Sequence, residues 1–139
     1  MVAGGCLSAK ESSSDTGKNA DAKNVTLSIS ANAISGGKNS EEADWITKYV
    51  IPEFVKQQKA KGITAKVTFN PTGVDDEQYK TKLALDLKTR GGADIVDLDG
   101  IWIGEFAEAV YIKPLSDVVG ARASDWDGWN QIPSPCRPS

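Results

Sequence analysis

Apolar and polar positions alternate twice in a strand-like rhythm. Val25, Leu27 and Ile29 alternate with Thr26 and Ser28, and further along Ala65, Val67 and Phe69 do the same. A period of two predicts two strands with one face turned to a core. Between them the rhythm changes. From Glu41 to Lys61 the apolar positions Ala43, Ile46, Val50 and Phe54 fall at helical spacing, so this segment reads as a helix with that face buried. Asn39 or Ser40 is placed to cap it, with Glu41 and Glu42 in its first turn. Pro52 predicts a kink or a fresh helical start, and Gly62 a left-handed stop.

After the second strand, Asn70-Pro71-Thr72-Gly73 has turn chemistry. Asp75, with Gln78 three residues later, resembles a capping box. The helix it would open carries Tyr79, Leu83 and Leu87 one turn apart and should end at Gly91-Gly92. Ala93 to Leu98 reads as a third strand. Asp99 is placed to cap a third helix with Ile103, Phe106, Ala107 and Val110 on its buried face, stopped by Pro114.

The order is β-α-β-α-β-α. Helical crossovers of this length force parallel strands, and right-handed crossovers put helices on both sheet faces. The expected fold class is α/β, a doubly wound parallel three-layer unit. Its ligand crevice should lie outside the carboxyl ends of the strands. Those ends are the Ser30–Asn39 loop, the Asn70–Val74 turn and the Asp97–Trp102 segment. A sheet of three strands with an open edge is an incomplete unit.

Composition narrows the function. The 139 residues carry a formal charge of -3, with 16 basic and 19 acidic side chains, which argues against a nucleic-acid partner. Histidine is absent, excluding His-based triads, proton relays and His metal cages. Cys6 and Cys136 cannot make a disulfide scaffold or a thiolate zinc site. No apolar run approaches the ~20 residues of a membrane span. Neither a GxxxxGK[ST] loop nor a GxGxxG turn follows the first strand, and no G-x-S-x-G elbow is present. No cofactor or metal is implied.

Three zones follow from the pattern. Residues 1–24 lack any apolar period, so they should form a mobile tether. Residues 25–132 hold nearly all the large apolar side chains. Residues 133–139 carry Pro133, Pro135 and Pro138, which fit neither a helix nor a central strand. This anomalous tail suggests a truncation or frameshift near Ile132.

The residues from Gly91 to Ala107, read as Gly-Gly-Ala-Asp-Ile-Val-Asp-Leu-Asp-Gly-Ile-Trp-Ile-Gly-Glu-Phe-Ala, carry a family resemblance. So does the exit Ala109-Val110-Tyr111-Ile112-Lys113-Pro114-Leu115. Residues 25–132 resemble the N-terminal part of an extracellular solute-binding protein of ABC importers, of the sugar-binding, maltose-binding-like type. That resemblance implies a partial periplasmic-binding-protein-like lobe, a carbohydrate ligand, ABC permease subunits as partners and no catalysis. A full member closes two lobes on its ligand, and this length supplies one. Val2-Ala3-Gly4-Gly5-Cys6 partly matches a lipoprotein box, with Ala3 where Leu is usual, implying lipid attachment at Cys6 and an extracytoplasmic, membrane-anchored protein. A flexible tether of about 18 residues would then reach roughly 20–25 Å.

Five residues become candidates for solute binding. Asp99 could cap its helix, accept hydrogen bonds from sugar hydroxyls, or both. Trp102, beside the expected apolar stripe, could be core or a stacking platform. Asn32 and Ser35 are turn formers or hydroxyl partners. Tyr79 is core or rim. The competing reading is a small α/β enzyme or an interaction domain.

Overall fold

Three parallel strands form one sheet in the order β2-β1-β3. The structure, a computed structural model, describes residues 22–123, 125 and 128–131. Cys6, the tether before residue 22, Trp126 and the tail from Ile132 lie outside them. β1 (Asn24–Ala31) pairs with β2 (Thr64–Pro71) along its whole length, from Asn24 opposite Thr64 to Ala31 opposite Pro71. β3 is short, Ile95–Val96, and pairs with Ile29 and Ser30. The expected turn at Asn70-Pro71 is instead the end of β2. An edge strand tolerates that proline because one side of it has no ladder to join.

The expected parallel α/β order holds, and β3 shows that both faces are covered. Neighbouring residues of a strand point to opposite faces. Ile95 lines an apolar gap of about 100 Å³ with Leu27, Val50, Phe54 and Val67, under the first helix. Val96 packs against a separate cluster of Tyr79, Leu83, Trp102 and Phe106. The first cluster is Ala31, Ala33, Ala43 and Ile46, with Ile29, Ile51 and Phe69 against it.

Asp94 holds β3 to the sheet. Its carboxylate accepts from both the backbone N–H and the hydroxyl of Ser28, each at 2.8 Å, and its own N–H donates to the Ser28 hydroxyl at 3.1 Å. These contacts give β3 a second attachment beyond its two-residue ladder.

The first helix is continuous but not uniform. α1 (Ser40–Trp45) passes through a π turn (Ile46–Val50) into α2 (Ile51–Ala60). Pro52 has no N–H to give, and its ring crowds the carbonyl one turn back. The wider turn just before it closes with the Ile51 N–H bonding to Ile46 O, and a new α-helix starts with the proline in its first turn. This is the fresh start anticipated at Pro52. Asn39 occupies the N-cap position in a left-handed conformation but makes no cap bond; its amide donates to Asn32 O instead.

α3 (Asp76–Lys88) also starts without a side-chain cap, so the Asp75–Gln78 capping box does not form. All three long-range helices end in the same way. The residue after the C-cap turns left-handed, and the two following N–H groups fold back onto helix carbonyls. Gly62 does this for α2, as expected, with Gly62 N–H on Lys59 O and Ile63 N–H on Gln58 O. For α3 the left-handed residue is Arg90, φ 57°, rather than Gly91 or Gly92. For α4 (Ile103–Glu108) it is Val110, φ 58°.

Val110 closes the motif in full. Its N–H reaches Ala107 O, the Tyr111 N–H reaches Phe106 O, and the rings of Phe106 and Tyr111 meet edge-on at 5.8 Å. A β-branched residue is strained in this conformation. Its side chain is 72% exposed, so little packing is lost on its removal. Val110→Gly is expected to raise stability by about 1 kcal/mol, read as a higher urea midpoint; a lower midpoint would contradict strain at this position.

The phase of the third helix differs from the expected one. A 3-10 turn (Gly100–Trp102) precedes α4, and its tighter winding rotates the faces. Trp102 and Phe106 point inward, whereas Ile103 and Val110 are exposed. From Pro114 onward the described residues belong to a separate unit. It contains α5 (Leu115–Val119) and 3-10 turns at Gly120–Ala123 and Trp129–Gln131.

Candidate functional site

The carboxyl ends of β1 and β3 and the start of α3 converge on one cleft of about 160 Å³. Asn32 and Asn39 come from the loop after β1, Asp76 and Tyr79 from the first turns of α3, and Asp97, Asp99 and Trp102 from the segment after β3. This is the rim anticipated for a parallel sheet, where strand ends leave backbone groups and loops free to meet a ligand.

Four of the five candidates line the cleft, in different roles. Asp99 caps the 3-10 turn, its Oδ1 accepting the Ile101 N–H at 3.1 Å, and remains exposed. Cap and rim positions therefore coincide. Tyr79 is buried to 3% exposure, and its hydroxyl is set to donate to Asp97 O at 3.1 Å or Ser30 O at 3.3 Å. It joins the ends of two strands from below. Burial, outweighing the hydrogen bond to Ser30, pushes its phenol pKa up, and the Asp97 and Glu42 charges add to this. Tyr79 thus stays protonated at neutral pH.

Trp102 is only 7% exposed and packs with Tyr79, Leu83 and Phe106. It borders the cleft as part of the core, and the broad open platform anticipated from its place beside the apolar stripe is not seen. The 3-10 turn is the reason, because it brings residue 102 onto the inward face.

Asn32 is buried to 5% and its side chain is fully engaged. Its amide donates to Val74 O at 3.0 Å and Asp76 Oδ1 at 3.1 Å, and its Oδ1 accepts the Val74 N–H at 3.2 Å. It ties the first loop to the second. Ser35 lies outside the cleft lining; its hydroxyl donates to Asp44 at 2.7 Å.

Three further acids at or beside the cleft were not among the expected binding residues. Asp76 lines the cleft and accepts Lys38 Nζ at 2.7 Å. The Lys38 bond holds the Asp76 carboxyl below the usual range, with partial burial opposing and the Lys38 charge and Asn32 bond adding. Asp97 lines the cleft, and Glu42, in the first turn of α1, lies against the Asp97 carboxylate. Burial and then the Asp97 carboxylate push the Glu42 pKa up, so Glu42 takes up a proton at higher pH than an ordinary glutamate. Glu41 and Glu42 looked like ordinary first-turn acids; only the return of β3 beside α1 brings a second carboxylate to one of them. Among the described residues no group of three or more His, Cys, Asp or Glu side chains is arranged to hold a metal ion.

A family model described as bacterial extracellular solute-binding protein matches residues 37–134. This chain belongs to that family. The match spans well over half of the chain and includes the Asp76–Tyr79 and Asp97–Trp102 sides of the cleft. No curated protein and no solved structure matches. In this solute-binding protein, the polar lining fits ligand capture: carboxylates and amides offer hydrogen bonds, while the aromatic groups beneath hold the rim in place. The family's role is extracellular binding of solutes for ABC transport.

Proposed function

We propose that this chain supplies one lobe of a carbohydrate-binding component of an ABC importer, which captures sugar outside the membrane and delivers it to permease subunits. The observation that supports this is the cleft at the strand ends. Its exposed carboxylates at Asp97 and Asp99 can each accept hydrogen bonds from vicinal hydroxyls, and the Trp102 ring edges it. The sugar-binding role of Asp99, Trp102 and Tyr79 is part of this proposal, with Asn32 supporting the rim from within. Ser35, engaged with Asp44, is left out of it.

Anchoring through a lipid on Cys6 belongs to the same proposal. A single acyl chain holds weakly and several chains hold stably, so a modified cysteine would keep the lobe near the permease. Capture then proceeds by closure of a second lobe over the rim.

One lobe alone should bind weakly, which suits NMR titration. Maltose and glucose added to the 139-residue chain are expected to shift amides at 32–39 and 97–102, with millimolar or weaker affinity. Asp97→Asn should reduce those shifts while leaving the spectrum of the rest of the chain intact. Shifts scattered over the α2 face, or none with either sugar, would set the carbohydrate reading aside.

A further inference from the structure

The loop after β1 and the start of α3 are joined by a pair of donors that converge on the same two acceptors. Lys38 Nζ bonds Val74 O at 3.0 Å and Asp76 Oδ1 at 2.7 Å. Asn32 Nδ2 bonds the same carbonyl and the same carboxylate oxygen. One oxygen of Asp76 is therefore held twice. Among the described residues no hydrogen bond reaches its Oδ2, although Asp76 lines the cleft.

We infer that Lys38 is a positioning residue for solute capture: with Asn32 it pins one oxygen of Asp76 and so presents the other to the cleft as an acceptor of fixed orientation. Lys38 itself is absent from the cleft lining. This rests on the carbohydrate reading and adds a residue outside the cleft, and one within it, to the groups that act there.

Three features of the geometry favour positioning over simple stabilisation. The Lys38 and Asp76 side chains are 32% and 67% exposed, and an ion pair in that setting adds little to folding stability. The buried Asn32 already bridges the two loops, so the lobe does not need Lys38 to hold them together. What Lys38 adds is a second, charged grip on Oδ1, and a charge-assisted bond fixes direction more firmly than a neutral one. An untethered aspartate at a helix start would sample several rotamers, and each sugar it met would have to order it.

The test compares Lys38→Met and Lys38→Arg with the parent chain. Carbon-detected NMR follows the Asp76 carboxyl through a pH titration, and amide shifts follow added maltose. Lys38→Met is expected to raise the Asp76 midpoint and weaken the maltose shifts several-fold at nearly unchanged melting temperature, while Lys38→Arg restores both. Unchanged maltose shifts in Lys38→Met, with the Asp76 midpoint moved, would overturn the positioning role. If maltose shifts nothing even in the parent chain, the carbohydrate reading fails; the pinning is then judged on the carboxyl alone, and an unmoved midpoint in Lys38→Met overturns it.

Discussion

Trp102→Ala is expected to remove about 3–5 kcal/mol of folding stability. Trp102 is buried among Tyr79 and Leu83 of α3 and Phe106 of α4, and truncation would leave a cavity between those helices. A domain of this size holds only about 5–15 kcal/mol in total, so much of the chain's margin is at stake. Equilibrium unfolding in urea measures it: the midpoint should fall sharply with the slope preserved. A loss below about 0.5 kcal/mol is the signature of a surface side chain and would place the indole outside the core. Sugar binding cannot be read cleanly from this variant, because a rim whose floor has melted binds nothing. Trp102→Phe keeps most of the packing and is the better probe of what the indole edge contributes.

The second large effect is expected at Asn32. Asn32→Ala should cost about 1–3 kcal/mol, since it removes, from a side chain that is itself buried, the acceptor of the Val74 N–H at 3.2 Å and one of the two donors to the Val74 carbonyl, at 3.0 Å. Lys38 retains its own bond to the carbonyl, which limits the loss. Hydrogen exchange gives a local reading: the Val74 amide should lose protection far beyond the drop in global stability. Unchanged protection there would show that the hydrogen bond from the Val74 N–H to Asn32 does not persist in solution.

The sheet was legible because its signals are local. The alternation of Val25, Leu27 and Ile29 needs no distant partner to be recognised, and Gly62 and Asp99 each announce a helix end by their own chemistry. Given three strand-helix repeats, the location of the cleft follows from topology alone. The errors lie where geometry depends on a shift of phase or on residues far apart in the chain. At the 3-10 turn Gly100–Trp102 it is Trp102 rather than Ile103 that joins Phe106 on the inward face, and no pattern of apolar residues distinguished the two. Arg90 and Val110 adopt left-handed conformations despite their side chains because the surrounding hydrogen bonds require it, and at Arg90 the neighbouring Gly91 and Gly92 are passed over.

The candidate site shows the same division. Asp99 could be placed at the rim from the strand-helix boundary that contains it. The role of Asn32 could not, because its partners Val74 and Asp76 lie more than forty positions away. A loop asparagine looks the same in sequence whether it greets a ligand or closes an internal network. Glu42 and Asp97 were likewise ordinary acids until folding set them face to face.

The bridge from Asn32 to Val74 and Asp76 bears on how such a lobe could change its preference. A transplant of residues 32–39 from another protein would leave the backbone of residue 74 without its clasp, and a transplant of residues 72–76 would do the reverse. New specificity in this lobe has to be exchanged as a matched set of loops, so single-loop chimaeras should be poor folders before they are poor binders.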